Sequence, residues 1–214
     1  MTVLVWDAPG SKTYESGVDR GVLYLSDGSG VPWNGLTGVD EKPVGFTTQP
    51  LYFEGIKYNE IVNIGDWGAT LRAYTYPDEF LEFEGIVEID NGLYVAGQDT
   101  TLFGLSYRTG VGNDINPEAG YKIHILSNLN AVPSNVGNKS STPKPNAIEF
   151  EWTITAIPQQ IPGFRPTAEL IFDSTKSSPE FTAEIEGILY GTVSTAPRLP
   201  RLEELVNFAD AWVP

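Results

Sequence analysis

The feature that most constrains this chain is its punctuation. Short runs rich in β-branched and aromatic residues are separated by Gly, Pro and Asx. The runs are GVLYL (21–25), LYFEGIKY (51–58), TLRAYTY (70–76), TLFGLSYR (101–108), YKIHIL (121–126), IEFEWTITAI (148–157) and TAELIF (167–172). The 22 Gly and 16 Pro are scattered between them and form no low-complexity tract. Several strands with turn signals between them predict an all-β sandwich or barrel. IEFEWTIT sharpens the prediction: Ile148, Phe150, Trp152 and Ile154 point one way, and Glu149, Glu151 and Thr153 the other. One face of that strand is buried and one is wet.

Helical signals are few. Ser178 can cap a helix that starts at Pro179, with Phe181, Ile185, Ile188 and Leu189 on one stripe and Gly191 as its stop. Leu202, Leu205, Val206 and Ala209 form a second short stripe, a C-terminal helix near 201–210. In YPDEFLEFEG, Leu81 and Phe83 alternate with Glu82 and Glu84 at strand period. Pro77, Asp78 and Glu79 as a first turn, with Gly85 closing it, favour a short helix. Residues 130–147 are polar and aperiodic and read as a long loop, a length that is functional or disordered in most proteins. With residues 1–16 as an N-terminal arm, 17–214 is expected to form a single domain.

Composition excludes several chemistries. The 214 residues include no Cys, which removes disulfides, thiolate zinc sites and a Cys nucleophile. The opening MTVLVWDAPG lacks a basic region and has apolar residues only from Val3 to Trp6, so no signal peptide is expected. No run of about 18 apolar residues suggests a membrane span. The net charge is −15, which repels a phosphate backbone where nucleic-acid binders carry a basic patch. Residues 1–100 hold 16 acids and 5 bases, and between Tyr74 and Tyr107 there are seven acids and no base.

The stretch FGLSYRTGVGND (103–114) has the glycines of a phosphate loop but not its lysine. Gly110 and Gly112 lack the Lys-Ser/Thr of a Walker loop, and Ile115 and Pro117 replace the third Gly and the helix of a dinucleotide fingerprint. Asp114, Asn116 and Glu118 alternate like the start of a calcium loop, but Ala119 and Ile125 stand where its Gly and Glu belong; an Asx-rich turn is the better reading. The only histidine, His124, sits mid-strand beside Lys122, opposite Ile123 and Ile125. It reads as a surface or interface polar residue, not as part of a Ser-His-Asp relay, and sites needing two or three histidines are impossible in one chain. No catalytic, cofactor or metal-binding residues are therefore assigned.

Eight stretches, taken in order, resemble a known family: GVDRGVLYL (17–25), VPWNGLTGV (31–39), YFEGIKY (52–58), YTYPDEFLEFEG (74–85), LSYRTGVGND (105–114), YKIHIL (121–126), DSTKSSPEFTAEIEGILYGT (173–192) and APRLP (196–200). The chain is similar to the major tail tube proteins of long-tailed, siphovirus-type actinobacteriophages. That resemblance implies a β-sandwich or barrel with one or two short flanking helices and extended loops. It implies subunits that close into hexameric rings and stack into the tube through which DNA passes on ejection. The implied partners are further copies of itself, with tape measure, tail terminator and baseplate proteins, in a virion tail assembled in the host cytoplasm. A phage-like particle such as a tailocin or a gene transfer agent uses the same part. The resemblance implies no catalysis and no cofactor. Six copies at −15 each give −90 per ring, and acids near the lumen would keep DNA from adhering. Glu82, Glu84, Glu88, Asp90 and Asp99, from the base-free stretch, are the lumen-facing candidates. The five Trp and ten Tyr leave an alternative open, a carbohydrate-binding or carbohydrate-cleaving β-sandwich.

Overall fold

The computed structural model describes residues 3–63, 65–133 and 147–212. The fold is mainly β, built of antiparallel pairs with few short helices. In chain order the strands are β1 (Thr13–Tyr24), β2 (Gly30–Trp33), β3 (Leu36–Glu41), β4 (Thr47–Phe53), β5 (Ile56–Asn63), β6 (Gly68–Ala73), β7 (Ile86–Asp90), β8 (Leu93–Ala96), β9 (Phe103–Asn113), β10 (Gly120–Pro133), β11 (Phe150–Ala156) and β12 (Glu169–Asp173). A 3-10 helix spans Asp78–Glu84, and α1 (Pro179–Tyr190) and α2 (Leu202–Ala211) close the chain.

The main sheet runs β2-β1-β9-β10-β11-β6-β3, with β12 also on β10. β10 is its hinge. Residues Lys122–Leu126 lie between β9 and β12, whereas Leu129–Pro133 pair with β11. Asn128, at φ 54°, sits where the register with β9 shifts. A bulge of this kind bends a strand and lets it pass from one layer to another.

Alternation along β1 and β10 therefore feeds two cores. Leu23, Phe103, Leu105, Tyr107, Leu126 and Leu129 pack against Leu71, Trp152 and Ile154 of the second layer. On the opposite face Val22, Tyr24, Ile123 and Ile125 meet Ile185, Leu189, Leu202 and Leu205 of the helices. The Tyr24 hydroxyl donates to the Leu189 carbonyl at 2.8 Å and lies 3.2 Å from Ser106 Oγ, tying sheet to α1. The α1 start is as expected: Ser178 Oγ accepts from the Phe181 amide at 3.2 Å, with Pro179 in first position.

PDEFLEFEG does form a short helix, of the 3-10 kind. At three residues per turn, Phe80 and Phe83 fall on one side, and both are fully buried against Trp33, Trp152 and Phe103. Gly85 closes it at φ 70°, where a Cβ would collide with the Gln98 carbonyl.

Three expectations change. LYFEGIKY is two strands with a turn at Glu54-Gly55, both at positive φ (50° and 80°), because that pair folds the run back on itself. The long loop is shorter at its start: Asn130–Pro133 continue β10 on β11, and residues 134–146 lie outside the described residues. The arm is also partly strand, since Thr13–Ser16 pair with Asn113–Gly110.

Candidate assembly surface

β4 and β5 form a hairpin of their own, outside the main sheet, and every residue of both strands is exposed. The register places Leu51, Phe53, Ile56 and Ile61 on one face, since directly opposed residues share a face. Their exposures run from 40% to 73%. A two-stranded hairpin is marginal at best in water unless a hydrophobic face is covered. An apolar face this open marks an interaction surface.

The β7–β8 hairpin repeats the pattern. Asn91 and Gly92, at φ 51° and 79°, make its turn, a pairing suited to the twist of the flanking strands. Val87 and Val95 oppose each other and are exposed, as are Ile89, Leu93 and Tyr94. Val3, Leu4, Val5 and Trp6 ahead of β1 are at least 71% exposed.

The five acidic candidates are placed unequally. Glu82, Glu88, Asp90 and Asp99 are exposed. Glu88 and Asp90 share β7, and Glu88 also accepts from the Gly92 amide at 2.9 Å. Glu84 instead turns toward the core, where it accepts from Trp152 Nε1. Burial pushes its carboxyl above the usual range, partly offset by that hydrogen bond.

The residues screened for chemistry sit in structural roles. FGLSYRTGVGN is β9, in mid-sheet between β1 and β10. Arg108 makes two 2.8 Å bonds to Asp19 of β1 and lies 4.3 Å over the Tyr121 ring. That pairing holds the Asp19 carboxyl below its ordinary value. The Asx turn is present: Asn113 Oδ1 accepts from the Ile115 and Asn116 amides at 2.9 and 2.7 Å. Trp33 and Trp152 belong to the core, Trp212 packs on Phe181 and Phe208, and Trp6 is exposed ahead of β1.

His124 is a correction. It is 8% exposed, not a surface residue. Its ring stacks on Tyr107 with centroids 4.6 Å apart, and Nδ1 lies 2.8 Å from Glu169 Oε1. The alternation of YKIHIL identified its face correctly, but nothing local announces that β3 and β12 bring Glu41 and Glu169 over that face.

No family model matches the chain, and no curated protein matches it. Among solved structures, the cryo-EM structure of the anti-feeding prophage cap (the AFP tube terminating cap) is similar over 81% of this chain and 97% of that chain, at 12% identity and a TM-score of 0.40. A sheath-tube complex of an extracellular contractile injection system, PVC, in its extended state is similar over 72% of this chain and 88% of that chain, at 14% identity and a TM-score of 0.35. Likenesses this distant carry no functional weight.

Proposed function

We propose that this chain is a structural subunit that joins copies of itself into stacked, hexameric rings forming a tail tube. The observation that carries the reading is the β4–β5 hairpin, wholly exposed with Leu51, Phe53, Ile56 and Ile61 on one face. A second copy supplies the surface that this face lacks. Head-to-tail contacts of one patch with a different patch close around a ring and stay open along its axis. The β7–β8 hairpin and the segment Val3–Trp6 are the further contacts. Permanent interfaces of this kind bury about 2,000–5,000 Å².

The sequence resemblance to tail tube proteins supports the same reading, and so does the net charge of −15. In the tube, residues 17–214 act as one domain, and residues 1–16, of which Thr13–Ser16 extend β1, form its arm. Exposed Glu82, Glu88, Asp90 and Asp99 line or rim the lumen, so that DNA slides without adhering, while Glu84 contributes least because it is tied to Trp152. Screening beyond about 8 Å at physiological salt confines this effect to side chains at the wall. The subunit performs no turnover. Its tail partners are tape measure, terminator and baseplate proteins, and its place is the tail of a virion or phage-like particle.

Negative-stain microscopy of the purified chain at rising concentration tests the proposal. Hollow rings or tubes are expected. A protein that stays monomeric at every concentration and binds glycans in solution would overturn it in favour of the sugar-binding alternative.

A further inference from the structure

Three strands deliver one side chain each to a common point: Glu41 from the end of β3, His124 from β10 and Glu169 from the start of β12. One oxygen of each carboxylate and an imidazole nitrogen lie within 4.8 Å of one another. Nδ1 is 2.8 Å from Glu169 Oε1 and 3.5 Å from Glu41 Oε1. Zinc-type ions hold nitrogen and oxygen at about 2.0–2.2 Å, which sets neighbouring ligand atoms about 2.8–3.6 Å apart in octahedral or tetrahedral arrays. Both separations from Nδ1 fall within that interval.

The surrounding contacts point the same way. Thr109 Oγ1 donates to Glu15 Oε2 at 3.3 Å and lies 3.3 Å from His124 Nε2. Thr109 thus steadies the ring from its Nε2 side. Nδ1 faces both carboxylates, a position that either a ring proton or a metal ion can fill. Tyr107 donates to Glu41 Oε1 and stacks on the imidazole, fixing both. Metal-ligating histidines and carboxylates carry such outer hydrogen bonds as a rule. Glu41 also lines an open cleft of about 580 Å³ with Trp67, Arg165 and Thr167.

We propose that Glu41, His124 and Glu169 bind one divalent first-row transition-metal ion, of which zinc is the type, clamping β3 to β12 across the bend in β10. Imidazole and carboxylate donors without sulfur suit this class. The proposal stands apart from the assembly reading and can fail without it.

The test uses the full chain without a histidine tag, dialysed against chelator and titrated with zinc chloride by calorimetry and by NMR. His124 is the only histidine, so the imidazole signals belong to it alone. One zinc per chain and a displaced Nδ1 resonance are expected. His124→Gln and Glu169→Gln should weaken binding at least tenfold, and Tyr107→Phe by roughly 10–100-fold. Imidazole signals that zinc leaves unmoved would mean a protonated ring alone bridges the acids, and would overturn the site. Uptake unchanged in both Gln variants would do the same. Should the variants fail to fold, the wild-type resonance decides.

Discussion

The packed body and the two hairpins are made of the same material and differ in what lies opposite. In the body, Leu23, Leu71, Phe80 and Leu189 have no accessible surface. In the β4–β5 hairpin, side chains of similar character, Phe53 and Ile56, are 66% and 73% exposed. The hairpin's shape is set locally, by a Glu54-Gly55 turn with both residues at positive φ. Its stability is not, because a turn and a ladder without burial leave a hairpin marginal. The contrast separates what turn chemistry provides from what tertiary burial provides, and it singles out the face on which the proposed assembly rests.

Substitutions can break this contrast at either end. Phe80→Ala should cost about 3–5 kcal/mol in urea unfolding, as truncation of a buried aromatic does, because Phe80 touches Trp33, Phe83, Phe103 and Trp152. A loss below about 1 kcal/mol would mean that the 3-10 segment is not the lid of the first core. Tyr24→Phe should cost about 1–3 kcal/mol, the price of an unpartnered buried polar group, since the Leu189 carbonyl loses its donor.

Glu84 gives a smaller, pH-dependent effect. Its folded-state pKa is raised above the ordinary carboxylate value by burial. The folded state therefore holds more protons in the window between the two values, and stability falls as pH rises through it. Glu84→Gln should flatten that slope while leaving stability at acid pH nearly unchanged; a slope identical in both proteins would contradict the assignment. The smallest effect on folding belongs to the hairpin. Leu51→Ser with Ile56→Ser should shift monomer stability by no more than about 0.5 kcal/mol, as exposed sites do, yet stop assembly. A large loss of monomer stability would show that the hairpin packs on its own chain.

What the sequence made legible follows from the range of the interactions. The Ser178–Gly191 helix could be read directly because its cap, its proline and its stop are neighbours in the chain. The alternation of IEFEWTIT predicted a half-buried strand, and Trp152 and Ile154 are buried while Glu151 and Thr153 are exposed. LYFEGIKY was harder, since period-2 alternation looks the same whether a run continues or folds back, and only the Glu-Gly pair distinguishes them. The polar seam was out of reach: Glu41, His124 and Glu169 meet only because β10 bends at Asn128 and passes between layers. From sequence alone His124 accordingly reads as a surface or interface residue. The exposed apolar face of β4–β5 depends on register in the same way.

Hydrogen exchange, compared between free chain and assembled particles, tests the central claim most directly. Amides of Thr47–Asn63 should exchange rapidly in the free chain and become protected in the particles, while those of β9 and β10 are protected in both. Hairpin amides that remain unprotected in the particles, or a chain that forms no particles under any condition, would contradict the account.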